Sequence, residues 1–429
     1  MSDTIRKYRD YVMTGFVKAV APIVIDRASG AVITDEDGRE FIDCFSGISV
    51  VNAGYGNDAV NRAAMEQMDK IVHCASYIYH AKPVADLAEK MAAITPGRLS
   101  KTFFGNSGAE AIEGAMKLAR LYTGKHEFIA LHASFHGRSW GALSITGNKG
   151  RKQRGGPYAA GVSFAPAPYA FRSAWPDSEA STAIYSAHAI EDVVQFATSG
   201  DVAAFIAEPI MGEGGIITPP DGYFREVKRI LDKHGILFIA DEVQTGFART
   251  GRMFAIEHYG VEPDIIVTAK GIANGFPLSA FTTRDEIAAA YRPGDHLSTF
   301  GGNPVSCAAA LANINFIQET NLAEKAEKDG AMVMAALKTM QESFPIIGDI
   351  RGKGLMIGVE LVKDQNKTPA AEEAAAIQLK MRDAGFLVGV GGIYANVIRF
   401  QPPLVIEVEQ LTKALNAFES ALGAIARGD

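Results

Sequence analysis

The chain predicts an α/β fold in which a large domain, built on a mostly parallel sheet flanked by helices, is joined to a smaller α+β domain. Three observations predict it. From about Asp58 onward, short runs rich in Val, Ile and Ala alternate with longer helical patterns, which is how strand–helix–strand units read in sequence. Several of these runs are apolar along their whole length, as strands covered on both faces must be, and they end on charged residues. Glycine supplies 43 of 429 residues, which suits a chain with many tight turns between strand and helix.

Taken in order, residues 1 to about 20 predict an amphipathic helix. Residues 22–26 and 31–43 alternate like hairpin strands, with Asp37-Gly38 at the turn. The glycine-rich stretch 45–56 allows a left-handed turn or a close approach to a ligand. Residues 1–57 are expected to belong with the small domain, 58–320 to form the large one and 321–429 to complete the small one.

Within the large domain, 101–105 predicts a strand and 106–120 an alanine-rich helix with Ser107 and Gly108 at its start. The first turn of a helix offers unpaired N–H groups and a partial positive charge, so an anion can sit there; a simple serine N-cap is the plainer alternative. A strand at 127–131 leads into His132–Trp140, and 150–190, with Pro157, Pro166, Pro168 and Pro176, predicts long loops over the site. The run 202–209 ends at Glu208 and leads into a turn carrying Glu213. Next, 236–240 delivers Asp241, and 264–268 delivers Lys270. A helical region at 305–343 connects to a tail in which 351–361 reads as a strand, 370–384 as a helix, 396–403 as a strand and the segment from Glu407 as a helix. Arg399 sits there among apolar neighbours, where a charge requires a carboxylate close by.

Composition narrows the function. Net charge is −7, with no basic cluster that would mark a nucleic-acid surface. No apolar run is long enough for a membrane helix and the N-terminus lacks a signal-peptide core, so a cytoplasmic protein is expected. The three cysteines, Cys44, Cys74 and Cys307, have no metal-type spacing and read as reduced thiols; no metal site is expected.

In open α/β sheets ligands bind at the carboxyl ends of strands, which brings Asp241 and Lys270 toward one crevice. A lysine and a carboxylate so placed suit pyridoxal 5'-phosphate (PLP), which is held by a lysine Schiff base with an acid on its pyridine nitrogen. A salt bridge at a sheet edge is the plain alternative. The surrounding residues decide between them: D-E-V-Q-T-G-F-A-R-T-G from Asp241, followed by A-K-G-I-A-N-G-F-P-L-S from Ala269, resembles the signature of the class III aminotransferases, fold-type I PLP enzymes that act largely on ω-amino groups.

That resemblance implies a seven-stranded sheet in the large domain and a role for each matching residue. Lys270 is the cofactor-bearing general base, Asp241 the partner of the ring nitrogen, and Glu208 a carboxylate near the cofactor. The motif N-S-G-A-E-A places Ser107, Gly108 and Ala109 at the phosphate, and F-H-G-R places Phe135 and His136 over the ring. Val243 packs beneath the ring and Gln244 reaches its phenolic oxygen. Thr299 serves the phosphate of a neighbouring subunit, which implies a homodimer; assembly to a tetramer is left open. Ile48 touches substrate, Arg138 holds a remote carboxylate, and Arg399 alternates between Glu213 and a substrate α-carboxylate. The set resembles 4-aminobutyrate aminotransferases, with 2-oxoglutarate or pyruvate as acceptor. The segment T-F-G-G-N-P also suits alanine–glyoxylate, β-alanine, taurine and other ω-amino acid:pyruvate members, and a racemase or decarboxylase could use the same scaffold. A nucleotide-binding α/β protein without a catalytic lysine is the rival from another class.

Overall fold

The computed structural model describes residues 2–15, 20–173, 175 and 178–428. The chain opens with a helix, Asp3–Tyr11, and three antiparallel strands, β1 (Ile25–Ser29), β2 (Val32–Asp35) and β3 (Glu40–Asp43). The helix is shorter than expected: Val12 is already extended, and residues 16–19 lie outside the described residues. Gly38, at φ +80°, makes the predicted β2–β3 turn.

Seven strands form the central sheet: β4 (Lys101–Gly105), β5 (Glu127–Leu131), β6 (Val162–Ala165), β7 (Val202–Ala207), β8 (Leu237–Asp241), β9 (Ile265–Thr268) and β10 (Ser279–Thr283). Their order is β4-β10-β9-β8-β7-β5-β6, and β10 alone runs against the rest. Side chains alternate between faces. Ala204, Ile206, Ile239 and Val267 pack with Ile112, Ala115 and Ala119 of helix Gly108–Thr123. Phe205, Phe238 and Ile266 meet Phe224, Val227 and Leu231 of helix Tyr223–His234 on the other side. Burial on both faces explains why these strands carry almost no polar residues until they end.

Toward the C-terminus, helices Pro304–Glu319 and Leu322–Ser343 lead to β11 (Ile347–Lys353) and β12 (Met356–Leu361). Two short strands, β13 (Phe386–Leu387) and β14 (Gly389–Gly391), precede β15 (Val397–Phe400) and the last helix, Val408–Arg427. One small sheet has the order β11-β12-β15-β14, and β13 instead extends the N-terminal sheet by pairing parallel to β3. The single strand expected at 351–361 is thus a hairpin that turns at Gly354, φ +54°, against the backbone of Gly330. The loops expected at 150–190 contain the edge strand β6 and the start of helix Glu179–Phe196, whose N-cap Ser178 accepts from Ser181 N. Pro176 lies outside the described residues.

Candidate active site

The parallel strands bring their carboxyl ends to one crevice. Following β4 comes Ser107, β5 Phe135 and His136, β7 Glu208, β8 Asp241 and β9 Lys270. All six line one cavity of about 680 Å³, together with Gly108, Ala109, Arg138, Val243 and Gln244. Asp241 and Lys270 therefore share a compartment, as their positions at adjacent strand ends required.

Asp241 is 3% exposed, and both of its oxygens are engaged. His136 Nδ1 lies 2.7 Å from Oδ2, and Val243 N donates to Oδ1 at 3.0 Å. With Nδ1 donating to the carboxylate, His136 Nε2 is buried without a partner among the described residues. Glu208 is also buried and accepts from Phe135 N at 2.9 Å and Gly212 N at 2.8 Å. Loss of hydration, reinforced by the Asp241 charge and opposed by His136, pushes its pKa up to about 7. Lys270 moves the other way: burial holds its ammonium below the ordinary lysine range, outweighing the attraction of Asp241 and Glu208. Its backbone adopts φ +47°, a left-handed conformation that costs a side-chain-bearing residue about 1–2 kcal/mol.

At the other wall, helix Gly108–Thr123 points its first turn into the cavity. Ser107 Oγ accepts from Glu110 N, and the N–H groups of Gly108 and Ala109 precede the first intrahelical bond. A Cβ on Gly108 would stand 3.0 Å from Val243 Cγ1, so this turn approaches the cavity floor closely and any side chain here would push Val243 aside. An anion-seeking helix end, an aromatic ring, a buried carboxylate, an unpartnered imidazole N and an amine in one cavity fit a phosphorylated pyridine aldehyde.

Four expected site residues stand outside the cavity wall. Ile48, 44% exposed, belongs to a left-handed turn of four consecutive residues, Ser46 to Ser49, with φ between +47° and +70°. Positive φ at a β-branched residue is a true outlier, so bonds from elsewhere must hold this turn. Thr299 is exposed on the loop before helix Pro304–Glu319. Arg399 is buried beside the Phe45 ring, 4.9 Å from its centroid, and donates to Val390 O at 3.3 Å. Burial lowers its pKa to about 10, with the Glu213 charge opposing the shift. Among the described residues, no carboxylate lies within ion-pair distance of it. The expected Arg399–Glu213 pair is replaced: Arg151 Nε donates to Glu213 Oε1 at 2.7 Å and Asn148 Nδ2 to the same atom at 3.1 Å. The short helix Lys149–Lys152 brings Arg151 there, in a stretch whose sequence predicts only loop.

Two other buried polar residues were not legible as site residues. Arg249, fully buried, donates to Leu355 O at 3.1 Å, Pro402 O at 2.5 Å, Ser46 Oγ at 3.2 Å and Asn52 Oδ1 at 2.7 Å. Gln401, equally buried, donates to Ser49 Oγ and to Gln244 Oε1. A polar residue inside an apolar strand pattern was the available signal for Gln401, since burial there demands partners.

The chain matches the family model described as aminotransferase class-III over residues 16–422. It is 41% identical to a leucine/methionine racemase of Thermococcus litoralis, covering 95% of this chain and 92% of that one. It is 38% identical to an acetylornithine aminotransferase of Methanothermobacter thermautotrophicus, covering 95% of each. Identity to a 4-aminobutyrate aminotransferase of Mycobacterium tuberculosis is 39%, covering 97% of this chain and 94% of the other. Among solved structures, an amine transaminase from an uncultivated Pseudomonas species in PLP-bound form aligns with a TM-score of 0.90 at 32% identity, covering 96% and 98% of the two chains. An ω-transaminase from Pseudomonas jessenii in complex with PMP aligns with a TM-score of 0.94 at 28% identity, covering 100% and 99%.

Proposed function

This chain belongs to the class-III aminotransferases and is a PLP-dependent enzyme, and on that premise we propose that it moves the amino group of an ω-amino acid, 4-aminobutyrate by preference, to a keto acid such as 2-oxoglutarate or pyruvate. PLP supplies, when bound, an aldehyde that takes up the amine and a protonated ring that draws electrons from the bond being broken. The residues of the chain do the rest. Ser107, Gly108 and Ala109 would hold the phosphate, Phe135 and Val243 would pack against the ring, and Asp241, oriented by His136, would hold the ring nitrogen in its protonated form. Gln244, in the same lining, would donate a hydrogen bond to the phenolic oxygen. Lys270 Nζ accepts the proton from the substrate carbon, a role suited to an amine whose protonated form is disfavoured by burial. Glu208 orders the floor through Phe135 and Gly212.

One observation carries the substrate reading. Arg138 lies exposed in the cavity wall, Arg399 is buried with its charge close enough to act on Lys270, and among the described residues neither has a carboxylate partner. Two guanidiniums without anions suit substrates whose carboxylates lie at different distances from the reacting nitrogen. With Glu213 held by Arg151, Arg399 needs no rearrangement of that pair before it meets a substrate carboxylate.

The same reading places catalysis in a homodimer. Ile71, Val72, Ile78 and Tyr79 are exposed beside Leu297 and Phe300, and the two segments are joined by the His73–Phe300 ring contact and by Asn303 Nδ2 donating to Val72 O at 2.9 Å. An apolar patch of this size next to Thr299 supports a second copy seated there, with its Thr299 contributing to the phosphate site. The three unpaired cysteines support a cytoplasmic setting.

The test is a donor panel with the PLP-loaded protein: 4-aminobutyrate, N-acetylornithine, leucine and methionine against 2-oxoglutarate and pyruvate, with chiral analysis of the amino acids. Transfer from 4-aminobutyrate with the highest kcat/KM is expected. Arg138→Ala should lower that value about 30- to 150-fold, the worth of a charge-assisted carboxylate contact, while glutamate loses less than about tenfold. Equal losses, or racemisation of leucine without transfer, would overturn the assignment.

A further inference from the structure

Gln401 follows Arg399 by two residues, beyond the end of β15, and is fully buried. It bonds to the left-handed turn at 46–49 and its approach through its backbone N–H, its backbone carbonyl and its side-chain NH2 group, while its side-chain Oε1 has no partner among the described residues. Its N–H donates to Cys44 O at 2.8 Å, its carbonyl accepts from Ser46 Oγ at 2.6 Å, and its side-chain Nε2 donates to Ser49 Oγ at 2.7 Å. The same Nε2 donates to Gln244 Oε1 at 2.8 Å. One amide group therefore touches both the strained turn that presents Ile48 and the glutamine that faces the cavity.

Gln244 has little freedom of its own. A Cβ on Gly212 would run into its amide, so the Gln244 side chain lies flat against the Gly212 backbone, whose N–H is in turn held by Glu208. With its oxygen committed to Gln401, Gln244 must turn its NH2 group away from that bond, as a hydrogen-bond donor for whatever occupies the cavity. A turn of consecutive left-handed residues persists only when its surroundings over-determine it, and Gln401 makes two bonds to the turn itself and one to Cys44 just before it.

We propose that Gln401 is a positioning and specificity-determining residue: it fixes the donor orientation of Gln244 toward the cofactor and locks the turn carrying Ile48 to it, so that cofactor contact and substrate wall are set as one unit. The inference rests on the reading that Gln244 and Ile48 face cofactor and substrate. It adds the residue that couples them.

The test uses the full-length protein with Gln401→Leu, Ser49→Ala and the double variant. Two measurements are made on each: the PLP dissociation constant, from the absorbance change on titrating PLP into apo-protein, and kcat and KM for whichever amino donor the parent enzyme uses best. Gln401→Leu should weaken PLP about tenfold and raise donor KM by a similar factor, because both the Gln244 donor and the Ile48 wall lose their fixed positions. Ser49→Ala should raise donor KM while leaving PLP binding within about twofold, since it cuts only the branch to the turn. The double variant should show a donor KM no worse than Gln401→Leu alone. If Gln401→Leu leaves both constants within about twofold of the parent, or if the two substitutions multiply independently, the proposal is wrong. Should Gln401→Leu fail to fold, Gln401→Glu preserves the shape and the bond to Ser49 but presents an acceptor to Gln244 Oε1; loss of PLP affinity with donor KM retained is then expected, and unchanged affinity overturns it. Because the PLP constant is measured without any donor, a mistaken 4-aminobutyrate assignment would show in the donor panel and leave this result standing.

Discussion

Glu242 is the sequence neighbour of Asp241, yet the two carboxylates live in different surroundings. Asp241 lines the cavity; Glu242 is enclosed by protein, accepting from Ile256 N at 2.7 Å and from the Thr245 hydroxyl. Those bonds do not compensate for lost hydration, and burial pushes its pKa from 4.5 up to about 7. Between those values the folded protein binds more protons than the unfolded chain, so stability falls as pH rises through this window and the whole loss is present above it. Glu242→Gln removes the charge while keeping an acceptor for Ile256 N. Its melting temperature relative to the parent should therefore improve between about pH 5 and about pH 8, by up to about 3 kcal/mol of stability at the upper end. A difference that stays constant across this range would show that Glu242 is not the titrating group. Adjacent residues with opposite tasks also mark a limit of sequence reading. The pair D-E at a strand end announces carboxylates near a site, and alternation puts only one of them in it.

Among the elements, helix Gly108–Thr123 does two jobs, packing Ile112, Ala115 and Ala119 on the sheet and offering its first turn to the cavity. Ser107 serves both. Ser107→Ala should cost about 1 kcal/mol of stability through the lost cap. It should also weaken PLP about tenfold, because the hydroxyl and the ordered first turn act together on the phosphate. Thermal unfolding of the apo-protein and a PLP titration separate the two effects; lost stability with unchanged affinity would reduce Ser107 to a cap. Elements such as β7, β8 and β9 were legible because burial on both faces leaves only Val, Ile, Leu, Ala and Phe in them up to the last residue of β8, Asp241, and of β9, Thr268. The edge strand β6 was not: only four residues long and partly exposed, it lies among prolines that signal loop. The β11–β12 hairpin was read as one strand because its turn, Gly354-Leu355, interrupts the pattern by only two residues and contains no polar pair. Of the site, the residues at strand ends were legible from position. Arg151 and Gln401 were not, because their partners, Glu213, Ser49 and Gln244, come from segments far away in sequence.

At the scale of the whole molecule, three parts of the chain meet around the crevice. The strand ends of the large sheet supply most of the cavity lining, Val50 joins it from just after the turn at 46–49, and the segment that follows the strand carrying Arg399 reaches the lining residue Gln244 through Gln401. Arg249 ties them, reaching from the loop after β8 to Ser46 and Asn52 on one side and to Leu355 and Pro402 on the other. Its bonds go to carbonyl and side-chain oxygens with no carboxylate in direct contact, so burial lowers its pKa to about 9 and the joint is held by hydrogen-bond geometry. No helix among the described residues is long and apolar enough to cross a membrane. Reducing the PLP-loaded protein with borohydride makes permanent the bond between a lysine nitrogen and the cofactor's aldehyde carbon, and mass spectrometry of the digested chain then locates it. The label is expected on the peptide that carries Lys270, and to vanish in Lys270→Ala; a label on another lysine, or its survival in that variant, would contradict the assignment of the site.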